Sequence, residues 1–303
     1  MARAVHGDSS GSRGGLALAT PGLTGNDDGT LRDGDFMTSP TLTDQQLADR
    51  FAFATKLVRE AGALAAGYFA DIASLTVKNK GPQDLVSEAD HNTEVLIKDS
   101  LKEAFPVDAF LGEETGPADI DGAVGIWVVD PIDGTQPFLS GMSSWCVSIA
   151  FIVGHTMEIG LVYDPMADEL FSGRRGHGAT LNDRPIHVAS ANSFGDGIVS
   201  VGYSLRTNPD AVLRTMSRLL HAGGMYQRNG SGALSLCFVA CGRLIGYVEQ
   251  HINSWDCLAA LLIISEAGGH INDFLAGDGL TAGNVVIAGP PALYPALAAL
   301  LID

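Results

Sequence analysis

Cysteine is scarce in this sequence, and its placement excludes several kinds of site. The chain has 303 residues and four cysteines, Cys146, Cys237, Cys241 and Cys257. No two of them form a Cys-x-x-Cys pair, and three lie inside apolar stretches. Such spacing fits neither a zinc site nor a disulfide framework. We interpret all four as buried free thiols in a reducing compartment.

Basic residues are also few. The 18 lysines and arginines face 35 aspartates and glutamates, which gives a net charge of −17. An acidic surface repels nucleic acids and anionic membranes, so neither is expected as a partner. A small anionic substrate would be repelled too, unless bound cations reverse the local sign. The charge balance therefore indicates bound metal if the substrate carries phosphate.

Long apolar runs are missing as well. A membrane span needs about 18 apolar residues, and the longest candidates, 258–264 and 292–302, are broken or short. We interpret both as core helices. The N-terminal segment has no apolar stretch of the signal-peptide type, so we expect a cytoplasmic protein.

Composition divides the chain into three parts. Residues 1–41 are rich in Gly, Ser, Asp and Thr without apolar periodicity, which predicts a disordered N-terminal tail. Met37 is a candidate natural start. Residues 42–190 predict an α+β half with the metal site, and residues 191–303 an α/β half with the substrate-selecting elements.

Apolar periodicity predicts the main elements. Thr43 and Gln46 form a capping box, and the spacing that follows predicts a long amphipathic helix. Further helices are predicted at 87–104, 210–222, 232–241, 255–267 and 292–301. Strands are predicted at 109–112, 126–130, 145–153, 158–163, 169–172, 198–202 and 244–249, and near 270 and 284–288.

Several acidic residues directly follow segments that are predicted to be buried. Burying an unpaired carboxylate costs free energy, so acids at such positions are unexpected without a partner. The predicted strand 126–130 ends in Asp130, Pro131 stops it, and Asp133 follows before a glycine. Two acids at this spacing on a turn can face one point, as hard divalent cations require. The alternative is an Asx-type turn without chemistry. Asp256 opens a predicted apolar helix, where interaction with the helix dipole is the alternative to metal binding.

Five segments together resemble the inositol monophosphatase family, which belongs to a wider superfamily that includes fructose-1,6-bisphosphatase. They are DLVSEAD (84–90), GEET (112–115), WVVDPIDGTQPF (127–138), GSGALSLCFVACG (230–242) and INSWDCLAALLIISEAGG (252–269). The resemblance covers nearly the whole chain from about residue 45. It implies a five-layer αβαβα sandwich of the sugar-phosphatase type, commonly a homodimer.

The resemblance also implies a metal-dependent mechanism. The implied ligands of two or three Mg²⁺ ions are Glu113, Asp130, the Ile132 carbonyl, Asp133 and Asp256. Such ions neutralise phosphate charge and lower the pKa of a bound water. In the family pattern Glu113 and Thr135 hold the attacking water, and Asp90 accepts the hydroxyl proton of Thr135. Without the resemblance, Asp90 is simply a first-turn helix acid.

Substrate contacts are implied in both halves. The backbone N–H groups of Gly134 and Thr135 are expected to hold phosphate oxygens. Glu249 resembles the family acid that accepts a hydrogen bond from a substrate hydroxyl, and the alternative is a solvated acid at a strand end. The other implied substrate contacts are Asp133, Gly230, Ser231, Gly232 and Asp256. Lys78 or Lys80 could neutralise phosphate, against the alternative of a solvated lysine.

These features predict Mg²⁺-dependent hydrolysis of a small phosphorylated polyol or sugar, with inositol monophosphate favoured. Gln136-Pro137 departs from the family pattern and lacks the lysine of histidinol-phosphate and nucleotide-type members, although Pro137 fits a first helical turn. The alternative substrates are histidinol phosphate, 3′(2′),5′-bisphosphate nucleotides and fructose 1,6-bisphosphate. The alternatives outside enzymes are a catalytically silent metal-binding regulatory protein and a calcium-stabilised structural protein.

Overall fold

Two large β-sheets and the helices that cover them make up the fold. The structure, a computed structural model, describes residues 42–75, 77–81, 84–117 and 123–302. The helices are α1 (Asp44–Ala70), α2 (Glu88–Ala104), α3 (Thr135–Leu139), α4 (Pro209–His221), α5 (Gly232–Ala240), α6 (Leu258–Glu266), α7 (Gly279–Ala282) and α8 (Tyr294–Ala299). The predicted tail, residues 1–41, lies outside the described residues.

Fifteen strands are assigned in the described part of the chain. They are β1 (Val77–Gly81), β2 (Asp84–Ser87), β3 (Ala109–Gly112), β4 (Gly116–Pro117), β5 (Ile126–Asp133), β6 (Cys146–Val153), β7 (Thr156–Asp164), β8 (Glu169–Arg174), β9 (Ala179–Leu181), β10 (Arg184–Pro185), β11 (Ile198–Val201), β12 (Met225–Gln227), β13 (Gly246–Ile252), β14 (His270–Ile271) and β15 (Asn284–Gly289). β1 and β2 form a separate hairpin.

The larger sheet has eight strands in the order β10-β9-β8-β7-β6-β5-β3-β4. Its neighbours are antiparallel except for β3 and β5, which run parallel with Gly112 opposite Val129. This register places the residue after β3 beside the acidic end of β5. The smaller sheet has five strands in the order β12-β11-β13-β15-β14, in which β11 runs parallel to both of its neighbours.

Helices and sheets alternate in five layers. α1 and α2 pack on one face of the eight-stranded sheet, and α5 and α6 lie between the two sheets. α4 and α8 cover the outer face of the five-stranded sheet. The predicted αβαβα sandwich is therefore confirmed. The division into halves at residue 190 and the homodimer stay predictions.

The first two helices begin where side chains can satisfy their free N–H groups. The capping box of Thr43 and Gln46 is confirmed at the start of α1. Ser87 and Asp90 form a second capping box at the start of α2. None of the described helices is long and apolar enough to cross a membrane. The four cysteines are free, as predicted, and three of them are buried, whereas Cys241 is half-buried and not buried as predicted.

The central helix α6 is apolar on all sides because a sheet covers each of its faces. Every residue from Leu258 to Ile264 is buried. Gly160 of β7 and Gly173 of β8 present bare backbone to α6, where a side chain at Gly160 would collide with the backbone of Ala259. This close approach fixes α6, and with it the turn that precedes the helix, against the larger sheet.

Two predicted boundaries near the acids are wrong. β5 does not end at Asp130, before Pro131, but continues to Asp133, with a register irregularity after Asp130. A proline is tolerated there because an irregularity needs no ladder donor. α6 begins at Leu258, so Asp256 lies in the turn before the helix and not in its first turn.

A third boundary concerns the predicted strand 244–249. β13 runs from Gly246 to Ile252, which places Glu249 in the middle of the strand instead of at its end. The β1–β2 hairpin and β12 were not predicted, because short strands carry too little periodicity. The last helix, α8, is shorter than the predicted 292–301.

Candidate metal and phosphate site

Three carboxylates converge at the end of β5. Oxygen atoms of Asp130, Asp133 and Asp256 all lie within 4.8 Å of one another. Asp130 and Asp133 are buried, with 1% and 6% of their surface exposed. β5 supplies the first two, and the turn before α6 supplies the third, so two layers of the fold meet here.

Local hydrogen bonds shape the β5 irregularity into a turn that presents both acids. The N–H of Ile132 donates to Asp130 Oδ1 at 2.9 Å, as in an Asx-type turn. The Ile132 carbonyl oxygen lies 3.2 Å from the Thr135 hydroxyl and shares that hydroxyl's single proton with Asp90 Oδ1, which lies 3.3 Å away. The turn interpretation and the metal-site interpretation of this segment are therefore compatible, because the turn is what brings the acids together.

Burial and mutual repulsion disfavour the ionised form of the three clustered carboxylates. Burial raises the pKa of Asp130 well above its usual range, and the charges of Glu113, Asp133 and Asp256 raise it further. Burial likewise raises the pKa of Asp256 to about 7, and the charge of Asp133 adds to the effect. A divalent cation would relieve this repulsion. An all-oxygen donor set of this kind fits Mg²⁺.

Asp133 also connects β5 to the start of α5. Its Oδ2 accepts from the Ser231 hydroxyl at 2.5 Å and from the Ala233 N–H at 2.7 Å. Its Oδ1 accepts from the Gly232 N–H at 3.2 Å. Burial raises the pKa of Asp133, while these three donors lower it. The structure thus brings the predicted 230–232 segment directly to the acid cluster.

Glu113 lies next to this cluster without being one of its three members. It follows β3, and its N–H donates to the Val129 carbonyl of β5 at 3.2 Å. The Glu113 carboxylate is close enough to Asp130 for its charge to raise the pKa of that side chain.

Thr135 and Asp90 are joined by a hydrogen bond. The Thr135 hydroxyl donates to Asp90 Oδ1 at 3.3 Å. The other oxygen of Asp90 accepts the N–H and the hydroxyl of Ser87 at 2.8 and 2.6 Å. Asp90 is 1% exposed. Asp90 therefore lies in the first turn of α2, where it caps the helix, and also accepts the Thr135 hydroxyl. The two interpretations of this residue are compatible.

Gly134 stands between the cluster and α3. It has φ of 97°, a left-handed conformation that favours glycine, and it is the N-cap of α3. A side chain there would also press against the Ser144 carbonyl. The chain can therefore turn sharply after Asp133 and bring the Thr135 hydroxyl back toward the acids.

A pocket of about 150 Å³ opens beside the acid cluster. Asp133 and Asp256 lie in its wall together with Gly230, Ser231, Gly232 and Glu249. The predicted substrate contacts of the second half therefore share one cavity. The side chains of Lys78 and Lys80 lie outside the described part of the structure.

The same pocket contains residues that sequence reasoning missed. Tyr247 lines it and donates its hydroxyl to Glu249 Oε2 at 2.5 Å. Its position two residues before Glu249 on one strand could have signalled a shared face. Arg206 and Arg228 also line the pocket. No local pattern distinguishes these arginines from solvated ones, because only the fold brings them to the pocket.

Burial dominates the electrostatics of Glu249. This side chain is 6% exposed, and burial raises its pKa to about 8. The Tyr247 hydroxyl and the charge of Arg228 lower that pKa, while the charges of Asp256 and Asp133 raise it. The alternative of a solvated strand-end acid is therefore wrong for Glu249.

The family model described as inositol monophosphatase family matches residues 46–302. The chain belongs to this family. The inositol-1-monophosphatase of Mesorhizobium japonicum is 36% identical over 231 residues, covering 76% of this chain and 87% of that protein. Nus factor SuhB of Haemophilus influenzae is 35% identical over 238 residues, covering 78% and 89%.

Solved structures of inositol monophosphatase family members share the fold. The extragenic suppressor protein suhB from Bartonella henselae has a TM-score of 0.78 at 31% identity, covering 84% of this chain and 99% of that one. Inositol monophosphatase from Anabaena has a TM-score of 0.73 at 30% identity, covering 84% and 96%. The family resemblance in the five motifs is thus confirmed over the length of the fold.

Proposed function

We propose that this chain is a Mg²⁺-dependent phosphatase of small phosphate monoesters, with inositol monophosphate as its favoured substrate. The observation that carries the proposal is the convergence of the buried Asp130 and Asp133 with the half-buried Asp256 beside a polar pocket. Membership of the inositol monophosphatase family supports a phosphatase with a metal site. The substrate and the metal are the parts that this proposal adds.

The proposed ligands of two or three Mg²⁺ ions are Glu113, Asp130, the Ile132 carbonyl, Asp133 and Asp256. Bound there, Mg²⁺ would neutralise the phosphate oxygens and lower the pKa of an attacking water. The four carboxylates suit this role because their mutual repulsion disfavours their ionised forms unless a cation is bound.

We assign the orientation of the attacking water to Thr135 and Glu113. Because the Thr135 hydroxyl donates its proton toward Asp90, its oxygen is left to accept a hydrogen bond from water. The Glu113 carboxylate can accept the second proton of that water. The backbone N–H groups of Gly134 and Thr135 then hold phosphate oxygens at the same turn.

The alcohol part of the substrate would occupy the pocket that contains Glu249. Tyr247 donates to one carboxylate oxygen of Glu249, which leaves the other oxygen available for a substrate hydroxyl. Gly230, Ser231 and Gly232 line the same pocket, where small residues leave space for a ring. A polyol phosphate such as inositol monophosphate fits this arrangement of hydroxyl acceptors.

Phosphate release across a panel of substrates tests the proposal. The panel comprises inositol monophosphates, histidinol phosphate, fructose 1,6-bisphosphate and 3′-phosphoadenosine 5′-phosphate, each with and without Mg²⁺. We expect inositol monophosphate to give the highest kcat/KM, and Asp130→Asn to abolish turnover of every substrate. A higher kcat/KM for another compound would make the substrate assignment wrong.

A second candidate comes from relatives that bear the name Nus factor SuhB, at 31–36% identity. That name does not describe an enzyme, and it favours a metal-binding regulatory protein without catalysis. Metal binding by calorimetry combined with no phosphate release from any compound of the panel would favour this candidate. Because the proposed ligands are all present, we place the phosphatase first.

The assembly and location of the chain stay predictions. The resemblance implies a homodimer, which light scattering of the purified protein would detect. The acidic net charge of −17 supports the absence of nucleic acid and membrane partners. Filter binding to RNA and DNA at low salt tests the first of these absences.

A further inference from the structure

The turn that carries Glu113 is held by an acid on α2. β3 and β4 pair as a hairpin with Gly112 opposite Gly116, so residues 113–115 form the tight turn between them. Glu94 Oε2 accepts the N–H of Glu114 and its Oε1 accepts the N–H of Thr115, both at 2.9 Å. One carboxylate therefore fixes two successive peptide groups directly after Glu113.

Glu94 has no freedom to leave this position. It is 1% exposed and lies on the buried face of α2. Its carboxylate also occupies the space that a side chain at residue 112 would need, against the bare Cα of Gly112. The packing thus requires both a glutamate on α2 and a glycine at the end of β3.

The same helix face holds a second acid with a related contact. Asp90 lies four residues before Glu94, so the two side chains are neighbours on α2. Asp90 accepts a hydrogen bond from the Thr135 hydroxyl, and Glu94 accepts one from the backbone N–H of Glu114, in the turn that follows Glu113. The two groups assigned to the attacking water are therefore each attached to α2 through one buried carboxylate.

We propose that Glu94 is a positioning residue, which sets the place of the Glu113 carboxylate by fixing the turn behind it. This inference rests on the proposed function, because Glu113 matters there as a metal ligand and as a holder of the attacking water. Glu94 belongs neither to the three clustered acids nor to the pocket wall, so its proposed effect passes through Glu113.

Glu94→Gln tests this role with little change of shape. A glutamine has one acceptor oxygen, so one of the two N–H groups would face its NH₂ group. A displacement of about 1 Å at a reacting group costs up to about 100-fold in rate. We expect kcat to fall about 10- to 100-fold while KM changes less than about threefold, since the pocket is untouched. Calorimetric titration with Mg²⁺ should show weaker binding.

Gly112→Ala is an independent second variant. Gly112 does not have a left-handed φ, so alanine suits the backbone, but its methyl group would press on the Glu94 carboxylate and on the Phe110 ring, and would push that carboxylate off the turn. We expect the same fall in kcat and the same weaker Mg²⁺ binding. This variant keeps the proposal testable if Glu94→Gln does not fold.

Two variants on α2 serve as controls. Thr93→Val changes a neighbouring side chain that is 0% exposed and whose hydroxyl has no partner among the described residues. Glu103→Gln removes an exposed negative charge from the same helix. Both should keep the kcat and Mg²⁺ affinity of the wild type, even if Thr93→Val shifts the Tm.

The outcomes separate this inference from the proposed function. If Glu94→Gln and Gly112→Ala match the controls in kcat per folded molecule and in Mg²⁺ affinity, Glu94 is merely structural and the inference is overturned. Asp130→Asn is measured beside them. An Asp130→Asn variant with full activity would instead overturn the proposed function.

Discussion

Replacing Glu249 by glutamine should change how the stability of this protein depends on pH. Burial raises the pKa of Glu249 from an ordinary 4.5 to about 8 in the folded chain. Glutamine keeps the shape and still offers an oxygen to the Tyr247 hydroxyl, which lies 2.5 Å from Glu249 in the wild type. The variant removes only the titration.

The direction in which stability changes with pH depends on whether the folded or the unfolded chain ionises Glu249 at the lower pH. Between pH 4.5 and about 8 the unfolded chain ionises Glu249 while the folded chain keeps it neutral. The contribution of Glu249 to stability is therefore fully present below pH 4.5 and is lost as the pH rises through about 8. At about 1.36 kcal/mol per pH unit, the full loss is about 5 kcal/mol.

Urea unfolding at a series of pH values, with a chelator present, measures this effect. Between about pH 5.5 and about pH 9, the stability of Glu249→Gln minus that of the wild type should rise by about 3 kcal/mol. Acids that do not interact with Glu249 titrate equally in both proteins and cancel in the difference, whereas Asp133 and Asp256 interact with it and contribute a smaller part of the change. A difference that stays constant within about 0.5 kcal/mol would refute the burial argument.

Tyr247→Phe provides a matched variant with the opposite sign. The Tyr247 hydroxyl lowers the pKa of Glu249, so its removal should raise that pKa further and steepen the loss of stability with pH. In catalysis above about pH 8, where Glu249 is ionised, Glu249→Gln should reduce kcat/KM for inositol monophosphate by about 10- to 100-fold, as expected for a hydrogen bond to a charged group. Turnover of an aryl phosphate without ring hydroxyls should stay near that of the wild type. Equal damage to both substrates would mean that Glu249 does not bind the hydroxyls.

Three further predictions concern the metal, the ligands and the core. Activity should require Mg²⁺, be weaker with Mn²⁺ and be inhibited by excess Ca²⁺; full phosphate release after exhaustive chelation would contradict the metal mechanism. Asp130→Asn should reduce kcat severely for polyol and aryl phosphates alike, and a loss confined to one substrate class would argue against a shared metal site. Asp108→Asn should lower the free energy of unfolding by about 3–5 kcal/mol, because it leaves the buried Arg50 guanidinium, 2.8 Å from Asp108, without a charged partner; an unchanged urea midpoint would show that this ion pair contributes little.

The sequence by itself determined the class of fold and most candidate residues. Side-chain spacing predicted α1 and its cap, because a capping box and a helical period are local properties. The Asp130 to Asp133 segment also indicated a metal site locally, and the family motifs added Glu113 and Asp256. These predictions depend on residues that are near one another in the chain.

Only the tertiary structure decided how those residues meet. Asp256 reaches Asp130 because bare glycine backbone on β7 and β8 lets α6 lie close to the larger sheet. The parallel register of β3 and β5 places Glu113 beside that cluster. Glu94 carries no local signal, because its two N–H partners lie some 20 residues away along the chain. Such contacts join elements that only packing brings together, so no periodicity or motif in a single segment records them.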